Sequence, residues 1–189
     1  MQKRHRIFIA INLPKEVKRA LAKYETTFSE LPAKWTPPEN LHITLVFLGD
    51  LTDVELGEVC VITKEVATLH EAVDINLTSI GYGPSEKLPP KMLWASGAKS
   101  QPLSVLKKDL EEALLEKIVN FDPDKKGFAP HVTLARISAF AWKAIEPEER
   151  PEVLQNLDLI FTAETIDVME SEIKKGGPQY TLIESIELK

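Results

Sequence analysis

Two copies of one short pattern, His42-Ile43-Thr44-Leu45 and His131-Val132-Thr133-Leu134, stand 89 residues apart in a chain of 189 residues with four histidines. Along an extended strand side chains alternate, so residues two apart share a face and each copy offers an imidazole and a hydroxyl side by side. Imidazole titrates near neutrality, at about 6.5, so one member of a pair can take a proton while the other gives one. Each such transfer is typically worth on the order of 10²–10⁴ in rate. The threonine hydroxyls can donate to non-bridging phosphate oxygens as charge redistributes in the transition state. Acid–base chemistry at a phosphate ester follows, and the symmetry of the two copies leaves open which histidine is the acid.

Metal binding is the competing use of two histidines. No His-x-His or His-x-x-x-His spacing occurs, and the carboxylates near the pairs are Glu39 and Asp50, so no metal is expected. His5, in a basic terminus, and His70, near a helix end, have no threonine partner and are expected to be structural or solvated. Cys60 is the only cysteine, which excludes a disulfide within the chain; it reads as a core or boundary residue rather than a nucleophile. Neither a Gly-x-Ser-x-Gly elbow nor a Walker-type phosphate loop is present.

Substrate contacts are sought beside the motifs. Arg136 follows His131 by five positions, so strict alternation turns it to the opposite face unless a bulge or the strand end brings it back. Phe8, Phe47 and Phe128 flank the motif strands and either stack a base or join the core.

The elements that must position these residues are read from periodicity and breakers. Residues 7–11 form a short β-branched strand, and Pro14 starts a helix whose stripe is Val17, Ala20, Leu21, Tyr24 and Phe28. Residues 41–48 form the first motif strand, closed by Gly49-Asp50. Thr52 with Glu55 has capping-box spacing and opens a helix with Val59, Ile62, Val66 and Leu69 inward. Strands over 73–80 and 92–95 precede a helix from Gln101 with Leu103, Leu106, Leu110 and Leu114 as its buried line. A loop from Phe121 to Gly127 leads to the second motif strand, 131–137. A short helix over 147–157, a partly alternating strand over 159–168 and a terminal strand over 179–188 complete the chain, with a hairpin signal at Gly176-Gly177-Pro178. Several connections are too short for parallel crossovers, which favours an α+β fold with antiparallel sheet.

Composition bounds the partners. With 43% hydrophobic and 28% charged residues the chain is ordinary for a globular protein. No apolar run approaches the roughly 20 residues of a membrane helix, and no secretory leader is read, so no membrane partner is expected; the single cysteine points to the cytoplasm. A net charge of −6 argues against wrapping a long nucleic acid. It allows a grip on one strand end, with Lys3, Arg4, Arg6 and Arg136 as local cations.

The paired motifs resemble those of the two-histidine (2H) phosphoesterase superfamily, and most closely its RNA 2′,3′-cyclic phosphodiesterase group, historically called 2′-5′ RNA ligases. Four segments carry the resemblance in order: Arg6-Ile7-Phe8-Ile9-Ala10-Ile11-Asn12-Leu13-Pro14, Asn40 through Gly49, Pro130 through Arg136, and Gly177-Pro178-Gln179-Tyr180-Thr181-Leu182. It implies one bilobal domain over residues 1–189, with two pseudo-symmetric lobes whose antiparallel sheets face a central cleft and whose helices pack outside. It further implies cofactor- and metal-independent hydrolysis of a terminal 2′,3′-cyclic phosphate on RNA 3′ ends to a 2′-phosphate; a monomer is expected. In that scheme His42 is the proton donor, His131 the proton acceptor, and Thr44 and Thr133 hold phosphate oxygens, with Arg136 a further ligand. Run backwards, the same site joins ends through a 2′-5′ linkage. The alternatives are a 2H esterase for 2′-5′-linked oligonucleotides or small cyclic nucleotide phosphates, and a nucleotide-binding module without catalysis.

Overall fold

The computed structural model describes residues 3–84, 88–118, 123 and 128–189. The β-branched opening run forms strand β1 (His5–Asn12), and Pro14, whose fixed φ suits a helix start, precedes α1 (Lys15–Ala22) and a single further turn, α2 (Tyr24–Thr27). Strands β2 (Ala33–Trp35) and β3 (His42–Leu51) follow. Helix α3 (Asp53–Ala67) opens on the expected capping box: Thr52 N–H donates to Glu55 Oε2 at 2.7 Å, and Glu55 N–H donates to Thr52 Oγ1 at 3.3 Å. After β4 (Val73–Gly83) and β5 (Met92–Gly97), helix α4 (Gln101–Leu115) buries Leu103, Leu106, Leu110 and Leu114 completely. The chain ends with β6 (His131–Ile137), α5 (Ala139–Lys143), β7 (Leu154–Ala163), β8 (Thr165–Lys174) and β9 (Gly177–Glu187). The expected loop from Phe121 to Gly127 lies, apart from Pro123, outside the described residues.

Some expected boundaries are corrected. β3 does not stop at Gly49: that residue takes φ +75°, open to a residue without Cβ, and the strand bulges there and continues. β4 likewise runs through Gly81 to Gly83, which pairs with Met92. Leu69 lies beyond the end of α3 and is exposed. Residues 147–157 do not form a helix. Pro151 cannot supply the amide a helix would need, so only one 3-10 turn forms (Pro147–Glu149) and Leu154 joins a strand. The helix comes earlier, in α5, capped by Ser138, whose Oγ accepts from Ala141 N–H at 3.3 Å. The single strand expected over 159–168 is the end of β7 and the start of β8, parted at Glu164.

The strands form a nine-stranded sheet ordered β7-β4-β5-β6-β3-β1-β8-β9, with β2 alongside β6 and every pairing antiparallel. The order divides into two alike halves, β9-β8-β1-β3 and β7-β4-β5-β6. The two antiparallel lobes that the resemblance implies are the two halves of this one sheet, joined by the single residue pair Ile43–Val132. Beyond that pair β2 takes the free edge of β6, with Trp35 against Ala135 and Lys34 against Arg136, so β3 and β6 part and a cleft opens. Helices α3 and α4, one from each half, pack together. No helix among the described residues is long and apolar enough to cross a membrane.

His5 ties β1 to two other elements. Its Nδ1 lies 2.7 Å from Glu170 Oε1 on β8, and its Nε2 lies 3.0 Å from Asp53 Oδ1 at the start of α3. Each nitrogen must donate to a carboxylate, so the protonated ring is favoured and its pKa rises above 6.5, the Glu170 bond outweighing burial. This stabilisation is fully present below pH 6.5 and is lost as pH rises through the raised value. Thermal melts across that window are expected to show wild type losing its advantage over His5→Gln as pH rises. A difference between the two that does not change with pH would contradict the assignment.

Candidate active site

The sheet brings the two motif copies together at their middle residues. Ile43 and Val132 pair directly and turn inward, each fully buried. Antiparallel pairing then sets His42 and Thr44 near Thr133 and His131, and all four side chains sit half-buried on the opposite face, lining one cleft.

Each copy is followed by the same irregularity. On β3 the pairing with β1 slips between Ala10–Thr44 and Ile9–Val46, leaving Leu45 as an extra residue. On β6 the pairing with β5 slips between Trp94–Thr133 and Leu93–Ala135, leaving Leu134 extra. A bulge reverses the alternation downstream. Phe47 and Arg136, each five residues after its histidine, are therefore turned into the histidine-lined cleft, against the expectation from strict alternation.

Both histidines are oriented from behind. His42 Nδ1 lies 2.7 Å from the Asn40 carbonyl and His131 Nδ1 lies 3.0 Å from the Ala129 carbonyl. A carbonyl only accepts, so Nδ1 carries a proton in each ring, and Nε2 is the nitrogen that exchanges one. His42 Nε2 is 3.0 Å from Thr44 Oγ1. Burial holds the His42 pKa below 6.5, helped by the charges of Lys18 and His131 and opposed by the Asn40 carbonyl. Rings surround both imidazoles: Phe8 and Tyr180 lie 5.0 and 5.2 Å from His42, and Trp94 stacks on His131 with ring centres 3.9 Å apart.

The cleft has a volume of about 430 Å³, the size range of small-ligand sites. Thr44, Thr133, Arg136, Phe47 and Phe128 line it, with Phe47 65% exposed at its rim. Phe8 is corrected: it is 1% exposed and packs beneath His42 with Ala10 and Met169, so it leaves no face for a base. Lys3, Arg4 and Arg6 do not line the cleft, and Arg4 instead donates to the Asp50 carbonyl at 3.1 Å. The lining cations are Lys34, Lys107 and Arg136; Lys34 Nζ donates to the Gly176 carbonyl at 2.8 Å, and Lys107 is ion-paired to Glu111. Lys34, Trp94 and Tyr180 were not legible as site residues, because each enters from a strand whose register the sequence does not reveal; Lys107 shares the legible buried face of α4, but the sequence does not show that this face reaches the cleft.

The other candidates lie elsewhere. His5 and His70 are structural, the latter bridging to Asp109 Oδ2 at 3.0 Å. Burial pushes the Cys60 thiol up to about 11, far from the thiolate a nucleophile needs. Among the described residues no three His, Cys, Asp or Glu side chains are grouped to hold a metal ion.

Known proteins match both the sequence and this architecture. The family model for LigT like phosphoesterases matches residues 8–94. An RNA 2′,3′-cyclic phosphodiesterase of Thermus thermophilus is 33% identical across 97% of this chain and 90% of its own length. One of Methanocaldococcus jannaschii is 28% identical across 94% and 98%. The crystal structure of the Thermus thermophilus protein TT0787 superposes with a TM-score of 0.83 at 30% identity, covering 97% of each chain. Escherichia coli LigT, at 19% identity and 99% coverage of both chains, shares the fold with a TM-score of 0.79. On this evidence the chain belongs to the LigT-like phosphoesterase family.

Proposed function

We propose that residues 1–189 act as one bilobal unit that hydrolyses RNA 2′,3′-cyclic phosphate ends to 2′-phosphate without a metal. The observation that carries this reading is the meeting of the two His-x-Thr pairs on one cleft face across Ile43 and Val132. The names of the relatives supply the substrate, which the geometry alone does not.

In the proposed step a water oxygen bonds to phosphorus while the bond from phosphorus to O3′ breaks. His131 Nε2 takes the water proton, and His42 Nε2 gives its proton to O3′. Thr44, Thr133 and Arg136 donate to the non-bridging oxygens, where charge accumulates. Phe47, Phe128 and Tyr180 offer ring faces or edges for the terminal nucleoside. Burial is the chief cause lowering the His42 pKa, and that shift suits either role, so the assignment of His42 as donor and His131 as acceptor follows the family resemblance. The reverse reaction with an RNA 5′-hydroxyl gives a 2′-5′ joint as a side activity. We place the enzyme in the cytoplasm as a monomer.

Incubation with an RNA ending in a 2′,3′-cyclic phosphate, in EDTA, tests the reading. A 2′-phosphate product is expected, with His42→Ala and His131→Ala each slower by about 10²-fold or more and still folded. A 3′-phosphate product, loss of activity in EDTA, or near-normal turnover by either variant would contradict it. Turnover of 2′-5′-linked dinucleotides alone would favour the other esterase.

Lys18 offers a pH test. Its charge is one of the causes depressing His42, so Lys18→Met is expected to move the His42 limb of the pH–rate profile to higher pH. An unmoved limb, or one moved to lower pH, would show that the cation does not act on His42.

A further inference from the structure

The two half-sites share a motif and a bulge but not their neighbours. Directly across from Thr44 stands Ala10, whereas directly across from Thr133 stands Trp94. His42 accordingly meets only tilted or edge-on rings, Phe8 at 37° and Tyr180 at 88°. His131 lies nearly flat on the Trp94 indole, with planes 26° apart and centroids 3.9 Å apart.

Two observations indicate that the indole is held there for its face. A Cβ on Gly83 would stand 2.4 Å from Trp94 Cδ2 and Cε3, so only glycine on β4 leaves room for the ring in this position. The Trp94 Nε1–H is buried with no hydrogen-bond partner among the described residues. A buried tryptophan ordinarily pairs that donor, and leaving it unpaired costs stability. What the placement gains is contact between an electron-rich ring face and an imidazole. Such a face attracts a cation more strongly than a neutral ring.

We propose that Trp94 is a positioning residue for His131, fixing the ring's orientation and stabilising the imidazolium that forms as His131 takes the proton from water. The proposal rests on the hydrolytic reading above. The attraction strengthens as charge develops on His131, so it favours the transition state over bound substrate and acts on kcat. Trp94 thereby gives two pseudo-symmetric histidines unequal tasks. Ala10, in the corresponding place on the other half, supplies no ring to His42.

Trp94→Leu, Trp94→Phe and Gly83→Ala, assayed on RNA with a 2′,3′-cyclic phosphate end, test this. The His131 ring-proton resonances of the wild type are expected to be displaced by the indole ring current. That displacement should vanish in Trp94→Leu, shrink in Gly83→Ala and persist in part in Trp94→Phe. Trp94→Leu should lose about 3- to 10-fold in kcat with KM changed less than about twofold. One limb of its pH–rate profile should move to lower pH by about half a unit while the other stays. Trp94→Phe should recover much of the rate. An active wild type with a folded Trp94→Leu variant of equal kcat and unmoved profile would overturn the proposal alone. A wild type that leaves this RNA intact would overturn the hydrolytic reading and the proposal with it.

Discussion

One pair of residues, Ile43 against Val132, joins the two halves of the sheet, and the rest of the site depends on that register. Both side chains are fully buried, and burying such a side chain contributes about 1.5–3 kcal/mol. Their inward orientation obliges the residues on either side of each, His42 and Thr44, His131 and Thr133, to turn into the cleft. A slip of one residue would exchange the faces and put the isoleucine and valine in water. The hydrophobic core and the geometry of the cleft are therefore specified by the same contact.

Within that near-symmetric frame the chemistry differs on the two sides. Matching bulges at Leu45 and Leu134 deliver different side chains to equivalent places, the exposed Phe47 ring on one side and the Arg136 guanidinium on the other. The neighbours of the histidines differ too: burial and the Lys18 charge act on His42, while the Trp94 face lies on His131. A symmetric scaffold suits a phosphate with a nucleophile on one side and a leaving group on the other.

What the sequence made legible was local. The His-x-Thr pairs follow from strand alternation, the α3 cap from the Thr52–Glu55 spacing, and the buried line of α4 from its leucines. What escaped was set by register or by distance along the chain. Arg136 reaches the cleft only because a bulge at Leu134 reverses the alternation. Trp94 reads as an ordinary strand aromatic until its place across from Thr133 is seen. Phe8 was open to stacking a base or joining the core, and its burial with Ala10 and Met169 puts it in the core. The two carboxylates that clasp His5 come from residues 48 and 165 positions away. The acidic stretch after residue 145 suggested a helix start, and the prolines within it prevented one.

The central claim is that His42 and His131 flank one phosphorus and complete a single in-line displacement, with no covalent enzyme intermediate. Hydrolysis of a 2′,3′-cyclic phosphorothioate of defined configuration in oxygen-18 water tests it most directly. Inversion at phosphorus is the predicted result. Retention would mean two successive displacements through a phosphorylated side chain and would contradict the account.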